Sequence, residues 1–553
     1  LLRFYDIVIA MLLSVNITEK SFGSKKLFSD VEFSVLEGEK LGLIGRNGIG
    51  KTTILNILTG KDTDFTGDII SRRGSVIVST DQEYSHVGLM TVMEYILSGL
   101  PDFVRLYKIM QDFTSLDSPS NRQLREYSDA LEQFSHKEYY FVEDAVKEEL
   151  KNFQLDGYES RRFSSLSGGE KRLIEVVKIM HSNADLAIID EPTNFMDYVA
   201  KDKFISWLKA APESIIVITH DRDVLRELNR IVEVKDGSAF SYKGNYESYL
   251  AQNAVKTSTG MNEYEITERQ IENLKKQIAY ARSKKASWSG TADKKNPFVV
   301  METRCQKQLD ELLKIEKPEF WIDKQSASNL NYKNATRYEK YKTRNMRLSL
   351  KSADIRSQKT IFKATNFSVG YESALFSPKN FELKESGTLE FRGRNGAGKS
   401  TLIKALLSNP SVKIFSGDFS LNPHTKIGIY EQEVSQKYFK LSLHDAIAQS
   451  YYDQKVNITE TKIRQLMADY LFVPEDIATP VEKLSGGQKA RLQIIKMLAN
   501  DPQLLILDEP TSHLDLPSIE ELESALQKYS GAILYISHDN YFREHLPAEI
   551  IEI

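Results

Sequence analysis

Two segments of the chain can wrap a phosphate. Gly45-Arg46-Asn47-Gly48-Ile49-Gly50-Lys51-Thr52 and Gly393-Arg394-Asn395-Gly396-Ala397-Gly398-Lys399-Ser400 share the spacing G-x-x-x-x-G-K-[ST]. In that pattern backbone N–H groups line an anion at a helix N-terminus, the lysine neutralises the β- and γ-oxygens and the hydroxyl holds Mg²⁺. The residues so marked are Gly45, Asn47, Gly48, Gly50, Lys51, Thr52 and Thr53, and again Gly393, Asn395, Gly396, Gly398, Lys399, Ser400 and Thr401. Farther along, the apolar runs Leu186–Ile189 and Leu504–Leu507 end in Asp190-Glu191 and Asp508-Glu509. An aspartate there can hold Mg²⁺ or its water shell, and the following glutamate can polarise an attacking water. A single Asp-Glu pair at a strand end is as readily a solvated turn, but the same pair twice, each after a phosphate loop, is not chance.

These groups must be positioned by strand ends and helix starts. Lys40–Ile44 reads as a strand entering the first loop and Ile54–Leu58 as the helix leaving it. Ile215–Ile218 and Ile533–Ile536 read as strands ending in Thr219-His220-Asp221 and Ser537-His538-Asp539. The whole order repeats: loop, Gln82 or Gln432, Leu166-Ser167-Gly168-Gly169-Glu170 or Leu484-Ser485-Gly486-Gly487-Gln488, the Asp-Glu pair, then the histidine. Lys51 and His220 are 169 residues apart, Lys399 and His538 139, so the two units are equivalent but unequal in length. The expected fold class is α/β, with two P-loop domains joined by a long helical hairpin.

The two Leu-Ser-Gly-Gly segments resemble the signature motif of ATP-binding-cassette proteins. The resemblance implies two cassettes packed head to tail, with Ser485, Gly486 and Gly487 closing on ATP held at Lys51, and Ser167, Gly168 and Gly169 on ATP held at Lys399. It also implies that Gln82 and Gln432 join Thr52, Ser400, Asp190 and Asp508 around the metal, and that His220 and His538 act with Glu191 and Glu509 in catalysis. Phe22 and Tyr371 stand where an adenine-stacking aromatic is expected. Because lysine, glutamate and histidine persist in both units, both are expected to hydrolyse ATP. Asp190–Asp197 and Asp508–Asp515 resemble the DEPTNHLD hallmark of the ABC-F branch, with departures at Phe195, Met196 and Ser512. Phe195 lacks the hydrogen bond a histidine would make, which puts coupling through that loop in doubt.

Composition bounds the rest. A chain of 553 residues is expected to fold as about three units, and its 41% hydrophobic and 27% charged residues are ordinary for packed protein. The single cysteine, Cys305, excludes disulfide frameworks and cysteine metal clusters, in keeping with a cytoplasmic location. No apolar run reaches the roughly 20 residues of a membrane span, so no membrane is expected among the partners. The sequence begins Leu1-Leu2-Arg3, and Met11 is the expected natural start. The net charge of −4 conceals a basic middle: residues 251–350 hold 20 Lys and Arg against 12 Asp and Glu, which points to a polyanionic partner.

In that middle, Ile271, Leu274, Ile278 and Ala281, then Cys305, Leu309 and Leu312, recur at coiled-coil spacing. Two antiparallel helices, about 250–288 and 299–317, are expected, the second stopped by Pro318. Lys284, Lys285, Trp288, Lys294 and Lys295 at their tip mix charge and stacking surface as RNA binding requires, although a solvated coiled coil is commonly as charged. Gln82 and Ser167 are separated by 84 residues where Gln432 and Ser485 are separated by 52, and the surplus resembles the small arm insertion of ABC-F proteins. Expected domains are 12–250 for the first cassette with an arm at about 103–135, 251–355 for the linker and 356–553 for the second cassette. In ABC-F proteins such a hairpin reaches from the ribosomal exit site toward the P-site tRNA, and a short arm with an extended linker is a mark of members that protect ribosomes from antibiotics. The resemblance thus implies an ATPase using ATP and Mg²⁺, a monomer with an intramolecular cassette pair, which binds the ribosome through rRNA and P-site tRNA and shields it from peptidyl-transferase-centre antibiotics. The alternatives are a housekeeping ABC-F translation factor, a transporter ATPase subunit and a DNA-handling ATPase.

Overall fold

The structure is a computed structural model that describes residues 11–23, 25–81, 87, 89–116, 119–285, 296–315, 317, 320–323, 326–327, 332–348, 359–431 and 433–553. The chain packs as two units. One joins the residues up to Tyr246 with those from Met346 onward, and the other is Glu247–Asn345.

The first cassette carries two sheets. In the antiparallel one, β1 (Met11–Phe22) pairs with β2 (Lys25–Phe28), β3 (Val31–Leu36) and β5 (Thr66–Ser71). The other has the order β10-β9-β4-β8-β7-β6, with β4 (Lys40–Gly45), β6 (Ile77–Ser79), β7 (Leu186–Asp190), β8 (Ser214–Ile218), β9 (Arg230–Lys235) and β10 (Ser238–Lys243). All its neighbours are parallel except β10 and β9. Every residue of β7 and β8 is buried, the pattern of strands covered on both faces. Helix α1 (Lys51–Leu58) lies between the sheets, where Ile54 and Leu55 share a core with Val15, Val31, Leu43 and Ile188. Parallel strands put their carboxyl ends on one edge, so the loops after β4, β8 and β7 emerge side by side.

An arm of two helices, α2 (Phe103–Thr114) and α3 (Asn121–His136), is closed by stacked Phe113 and Tyr127 rings 4.0 Å apart and by a capping box at Ser120. After it come α4 (Gly168–Met180), α5 (Tyr198–Ala210) and the short α6 (Arg222–Arg226).

The second unit is built on α7 (Tyr246–Lys285), α8 (Pro297–Leu312) and α9 (Tyr332–Tyr341). The hairpin is antiparallel: Gln277 meets Cys305, and Arg282 meets Glu302 at 2.8 Å. Ile278, Cys305 and Leu309 form its seam, flanked by Ile271 and Leu274. The start of α7 and both ends of α8 differ from the sequence expectation, and the expected end of the first helix at about 288 lies outside the described residues. Pro297 is the first residue of α8 because a proline lacks only an N–H that would be unpaired there, and the Asn296 side chain accepts from the Phe298 N–H. The irregular stretch after it contains α9, which packs on α7 through Arg337–Glu265 and Tyr341–Glu268 contacts and a small core of Met261, Ile322, Tyr338 and Tyr341.

The second cassette repeats the plan. Strand β11 (Thr360–Gly370) pairs with β12 (Lys379–Lys384) and β14 (Lys413–Leu421). A parallel sheet of order β15-β16-β17-β13-β18 holds β13 (Thr388–Arg392), β15 (Ile427–Tyr430), β16 (Leu504–Asp508), β17 (Ala532–Ile536) and β18 (Glu549–Glu552). Its helices α10 (Lys399–Leu406), α11 (Gly486–Met497), α12 (Leu516–Lys528) and α13 (Asn540–His545) correspond to α1, α4, α5 and α6. Among the described residues no helix is long and apolar enough to cross a membrane.

Candidate functional site

Each phosphate-type loop turns inside out before its helix. Gly50 and Gly398 cap α1 and α10 at φ 103° and 104°, a left-handed backbone that suits glycine, and a Cβ on Gly50 would lie 2.5 Å from the Phe28 ring. The lysines point back into their loops: Lys51 Nζ donates to the carbonyls of Gly45 (2.6 Å) and Arg46 (3.2 Å), and Lys399 Nζ to those of Gly393 (2.7 Å) and Arg394 (2.8 Å). Burial pulls both ammonium groups below the usual lysine range, while Glu191 and Glu509 push the other way.

At the neighbouring strand ends stand the acids. Asp190 closes β7 and Asp508 closes β16, where Ser400 Oγ donates to Asp508 Oδ2 at 2.8 Å. Glu191 and Glu509 follow at φ 45° and 51°, a left-handed conformation held by N–H donation to the Ile218 and Ile536 carbonyls. Their carboxyls face the histidines, Glu191 Oε1 to His220 Nε2 at 3.7 Å and Glu509 Oε1 to His538 Nε2 at 3.6 Å. Burial, helped by the adjacent aspartates, pushes both carboxyls up to about 8. Burial, with Lys51 and Lys399 adding to it, takes both imidazoles down to about 3. Both ring nitrogens of His220 and Oε1 of Glu509 are buried without a hydrogen-bond partner. Such atoms fit a polar group supplied from the cleft.

The two loops do not stand alone, because each meets the other cassette. Asn47 Nδ2 donates to the His513 carbonyl (2.8 Å) and its N–H to Asp515 Oδ2 (3.3 Å). Reciprocally, Asn395 Nδ2 donates to the Phe195 carbonyl (3.1 Å), and its N–H, with Arg394 Nε, to Asp197 Oδ2 (3.2 Å each). The acceptors at 513 and 195 are backbone carbonyls, so phenylalanine serves in place of histidine. A Cβ on Gly487 would come within 2.4 Å of Asn47 Nδ2, which places the signature glycine of the second cassette directly on the loop of the first. On the other side, the atom a Cβ on Gly169 would meet is in the Phe195 ring of its own cassette, at 3.1 Å. Ser167 and Ser485 cap α4 and α11, each accepting from the N–H three residues on.

A cavity of about 1270 Å³ runs through this region. It exceeds the roughly 300–1,000 Å³ of a one-ligand pocket, as two joined sites would. Both lysines, both Asp-Glu pairs, both histidines, Asn47, Gly48, Gly50, Thr52, Thr53, Asn395, Gly396, Gly398, Ser400 and Thr401 line it, as do Phe22, Tyr371, Gly169, Ser485, Gly486 and Gly487. Gly45, Gly393, Ser167 and Gly168 do not. Gln82 and Gln432 lie outside the described residues, as do Trp288, Lys294 and Lys295 of the hairpin tip. Lys284 and Lys285 end α7, and Lys285 is paired with Glu302 at 3.1 Å. Among the described residues no group of three His, Cys, Asp or Glu could hold a metal alone. The hydroxyl and carboxylate paired at Ser400 and Asp508 are the hard oxygen donors that a cation such as Mg²⁺ takes, with phosphate oxygens and water completing its shell.

Sequence reasoning assigned no role to Asp197 and Asp515, which are 1% and 3% exposed. Each caps a helix with Oδ1, α5 and α12 respectively, and reaches the opposite cassette with Oδ2. Their recurrence six residues after each glutamate was the available signal. Behind the histidines the cassettes also meet through Arg222–Glu523 (3.0 Å), Asn540–Asp223 (2.7 Å) and Lys201, which binds Asp221 and Asp223 and approaches the His538 carbonyl at 3.5 Å.

Comparison with known proteins agrees with this geometry. The ABC transporter family model matches residues 28–194 and 376–512, together more than half the chain, and a second model of that description matches 232–330. ABC transporter F family member 5 of Arabidopsis thaliana is 27% identical over 97% of this chain and 74% of its own length. The ribosome protection protein VmlR of Bacillus subtilis (strain 168) is 26% identical over 96% and 85%. The fold is that of the archaeal ribosome recycling factor aABCE1 in its complex with stalk protein aP1, with a TM-score of 0.56 at 14% identity, covering 97% of this chain and 86% of that one. With its loops, strand-end acids and signature segments present twice, the chain belongs to the ABC transporter family and is a tandem ABC ATPase.

Proposed function

We propose that this ATPase is a ribosome-binding protein of the ABC-F type that shields the ribosome from peptidyl-transferase-centre antibiotics, working through two composite ATP sites. The observation that carries the composite sites is the contact of Gly487 with Asn47, a signature glycine of one cassette on the phosphate loop of the other. Bound ATP and Mg²⁺ would supply the phosphoanhydride to be cleaved and a cation to offset its charge. Gly45–Thr53 and Gly393–Thr401 would cradle the phosphates, Lys51 and Lys399 offset their charge, and Thr52 with Asp190 and Ser400 with Asp508 hold the cation, joined by Gln82 and Gln432. Phe22 and Tyr371 stack the base. Ser485–Gly487 and Ser167–Gly169 close the far sides.

Glu191 and Glu509 orient the attacking water and take its proton, which requires the ionised carboxylate. Burial holds both carboxyls un-ionised to about 8 even with Lys51 and Lys399 lowering them, so further positive charge arriving with the nucleotide would be needed to ionise them near neutrality. His220 and His538, neutral at that pH, face the other end of each carboxyl at 3.7 and 3.6 Å. The shielding reading is supported by the basic hairpin and by the name of the relative VmlR. Lys284, Lys285, Trp288, Lys294 and Lys295 would meet rRNA and the P-site tRNA.

The test is ribosome co-sedimentation of Glu191→Gln/Glu509→Gln in ATP. The phosphate and metal ligands remain, hydrolysis stops and the closed form accumulates, so the variant sediments with ribosomes more fully than the unmodified chain. Equal sedimentation of the two proteins rejects the ribosome clamp.

A further inference from the structure

The two cassettes differ in which helix sets a positive charge beside the metal-side aspartate. In α4, Arg172 sits five residues after Ser167; in α11 the same offset from Ser485 is Ala490. The Arg172 guanidinium donates from Nη2 to the Asp190 carbonyl and from Nη1 to the Asp81 carbonyl at 3.3 Å, and its Nη2 lies 3.9 Å from Asp190 Oδ2. Arg172 and Asp190 are 14% and 10% exposed, so solvent screens this contact only partly. Ala490 has no side chain with which to reach Asp508, and the positive charges that do act there, Lys399 and Lys404, stand on α10 and not on the signature helix. The rest of the connection is shared: Glu175 accepts from the Asp81 N–H at 3.0 Å, and Gln493 Nε2 donates to the Glu431 carbonyl at 2.8 Å, so both cassettes tie this helix to the residue before the Gln82 or Gln432 position.

We propose that Arg172 is a positioning residue that makes the two ATP sites unequal, its fixed charge competing with the divalent cation for Asp190 and linking that aspartate to the signature helix that serves the other site. The inference rests on the composite sites proposed above. A unit charge about 4 Å from the carboxylate, screened even as in bulk water, changes the hold on a cation about fivefold. Arg172 also reaches the chain on both sides of the metal position, through the carbonyls of residues 81 and 190. Movement of α4, whose first turn carries Ser167–Gly169, therefore moves a charge at Asp190. In the second cassette the corresponding movement of α11 carries none to Asp508, so only one of the two signature helices offers this route between the sites.

The experiment titrates the full chain with Mn²⁺ in the presence of AMP-PNP and reads bound Mn²⁺ by electron paramagnetic resonance. Lys399→Ala leaves the Lys51 site and Lys51→Ala leaves the Lys399 site. The expected result is that the Lys51 site holds Mn²⁺ about fivefold more weakly than the Lys399 site. Arg172→Gln, which can still donate to the Asp190 carbonyl, removes that difference in the Lys399→Ala background and changes nothing in the Lys51→Ala background. Arg172→Lys, which keeps the charge, stays weak. Equal Mn²⁺ affinity at the two sites overturns the proposal without any change at Arg172, and so does an equal effect of Arg172→Gln in both backgrounds. If each lysine variant still binds two Mn²⁺–nucleotide complexes, the composite-site reading itself fails, which is a separate outcome.

Discussion

Replacing Glu509 by glutamine should stabilise the nucleotide-free protein, and the gain should grow with pH. Burial raises the Glu509 carboxyl from 4.5 to about 8. The folded state therefore keeps a proton that the unfolded chain has lost. Stability from this group is complete below about pH 4.5, falls as pH rises through the interval, and stays at its low level above about pH 8. The whole interval corresponds to about 5 kcal/mol at most, at 1.36 kcal/mol per pH unit. Between about pH 6 and about pH 9 the part still to be lost is about 3 kcal/mol. Glutamine cannot ionise, and its oxygen can still accept from the His538 N–H as Glu509 Oε2 does at 3.2 Å. His538, lowered to about 3, acts in the opposite sense and at lower pH, since its stability is lost as pH falls from about 6.5. It is present in both proteins and cancels when they are compared at one pH. Chemical denaturation followed by circular dichroism at the two pH values gives the difference directly. A gain from Glu509→Gln that is the same at both would show that the carboxyl is already ionised at neutrality, and the reasoning about a buried neutral acid would be wrong.

Other outcomes follow from named contacts. Asp515→Ala removes the α12 cap, worth about 1 kcal/mol, together with the acceptor for the Asn47 N–H; ATP-dependent compaction, read by small-angle scattering, should weaken, and unchanged compaction counts against the cross-cassette role. Ser485→Arg should block hydrolysis at the Lys51 site while its own cassette still binds nucleotide, and site-resolved nucleotide labelling that places the defect at Lys399 would refute the head-to-tail arrangement. Glu302→Gln frees Arg282 and Lys285 of their shared counter-charge, so ribosome co-sedimentation should strengthen and its salt dependence steepen; no change removes this end of the hairpin from the interface. Expression in a drug-sensitive bacterium should lower susceptibility to peptidyl-transferase-centre antibiotics, and unaltered susceptibility across those classes leaves the shielding reading without support.

Much of the architecture could be read in the residues because the residues that announce it are also the ones that fix backbone direction. Gly50 before Lys51, and apolar runs that stop abruptly at Asp190 and His220, mark strand ends by chemistry and by periodicity at once. The contacts of Asp197 and Asp515 were not legible in this way. Both belong to a recognisable segment, but which oxygen caps a helix and which crosses to Asn395 or Asn47 depends on how the cassettes dock, and nothing local encodes that. The hairpin ends were missed for a different reason. Helical spacing persists through residues that the chain ends up using as turns, and a proline that looked like part of a loop begins α8. Arg172 and Ala490 differ by a single letter within matching segments, and only the reach of the guanidinium to Asp190 gives the difference meaning.

The two-sided use of Asp197 and Asp515 also bears on how accurately the cassettes can find each other. One oxygen is committed to the first turn of a helix in its own cassette, so the other is aimed by a rigid element rather than by a free side chain. A docking shifted by one residue would leave a nearly dehydrated carboxylate facing no donor, and the cost of stranding such a charge is several kcal/mol. These contacts therefore act less as adhesive than as keys in a lock. Besides holding the cassettes together, they limit the number of ways the two can dock, so that under the proposed clamp each closure would return to one register.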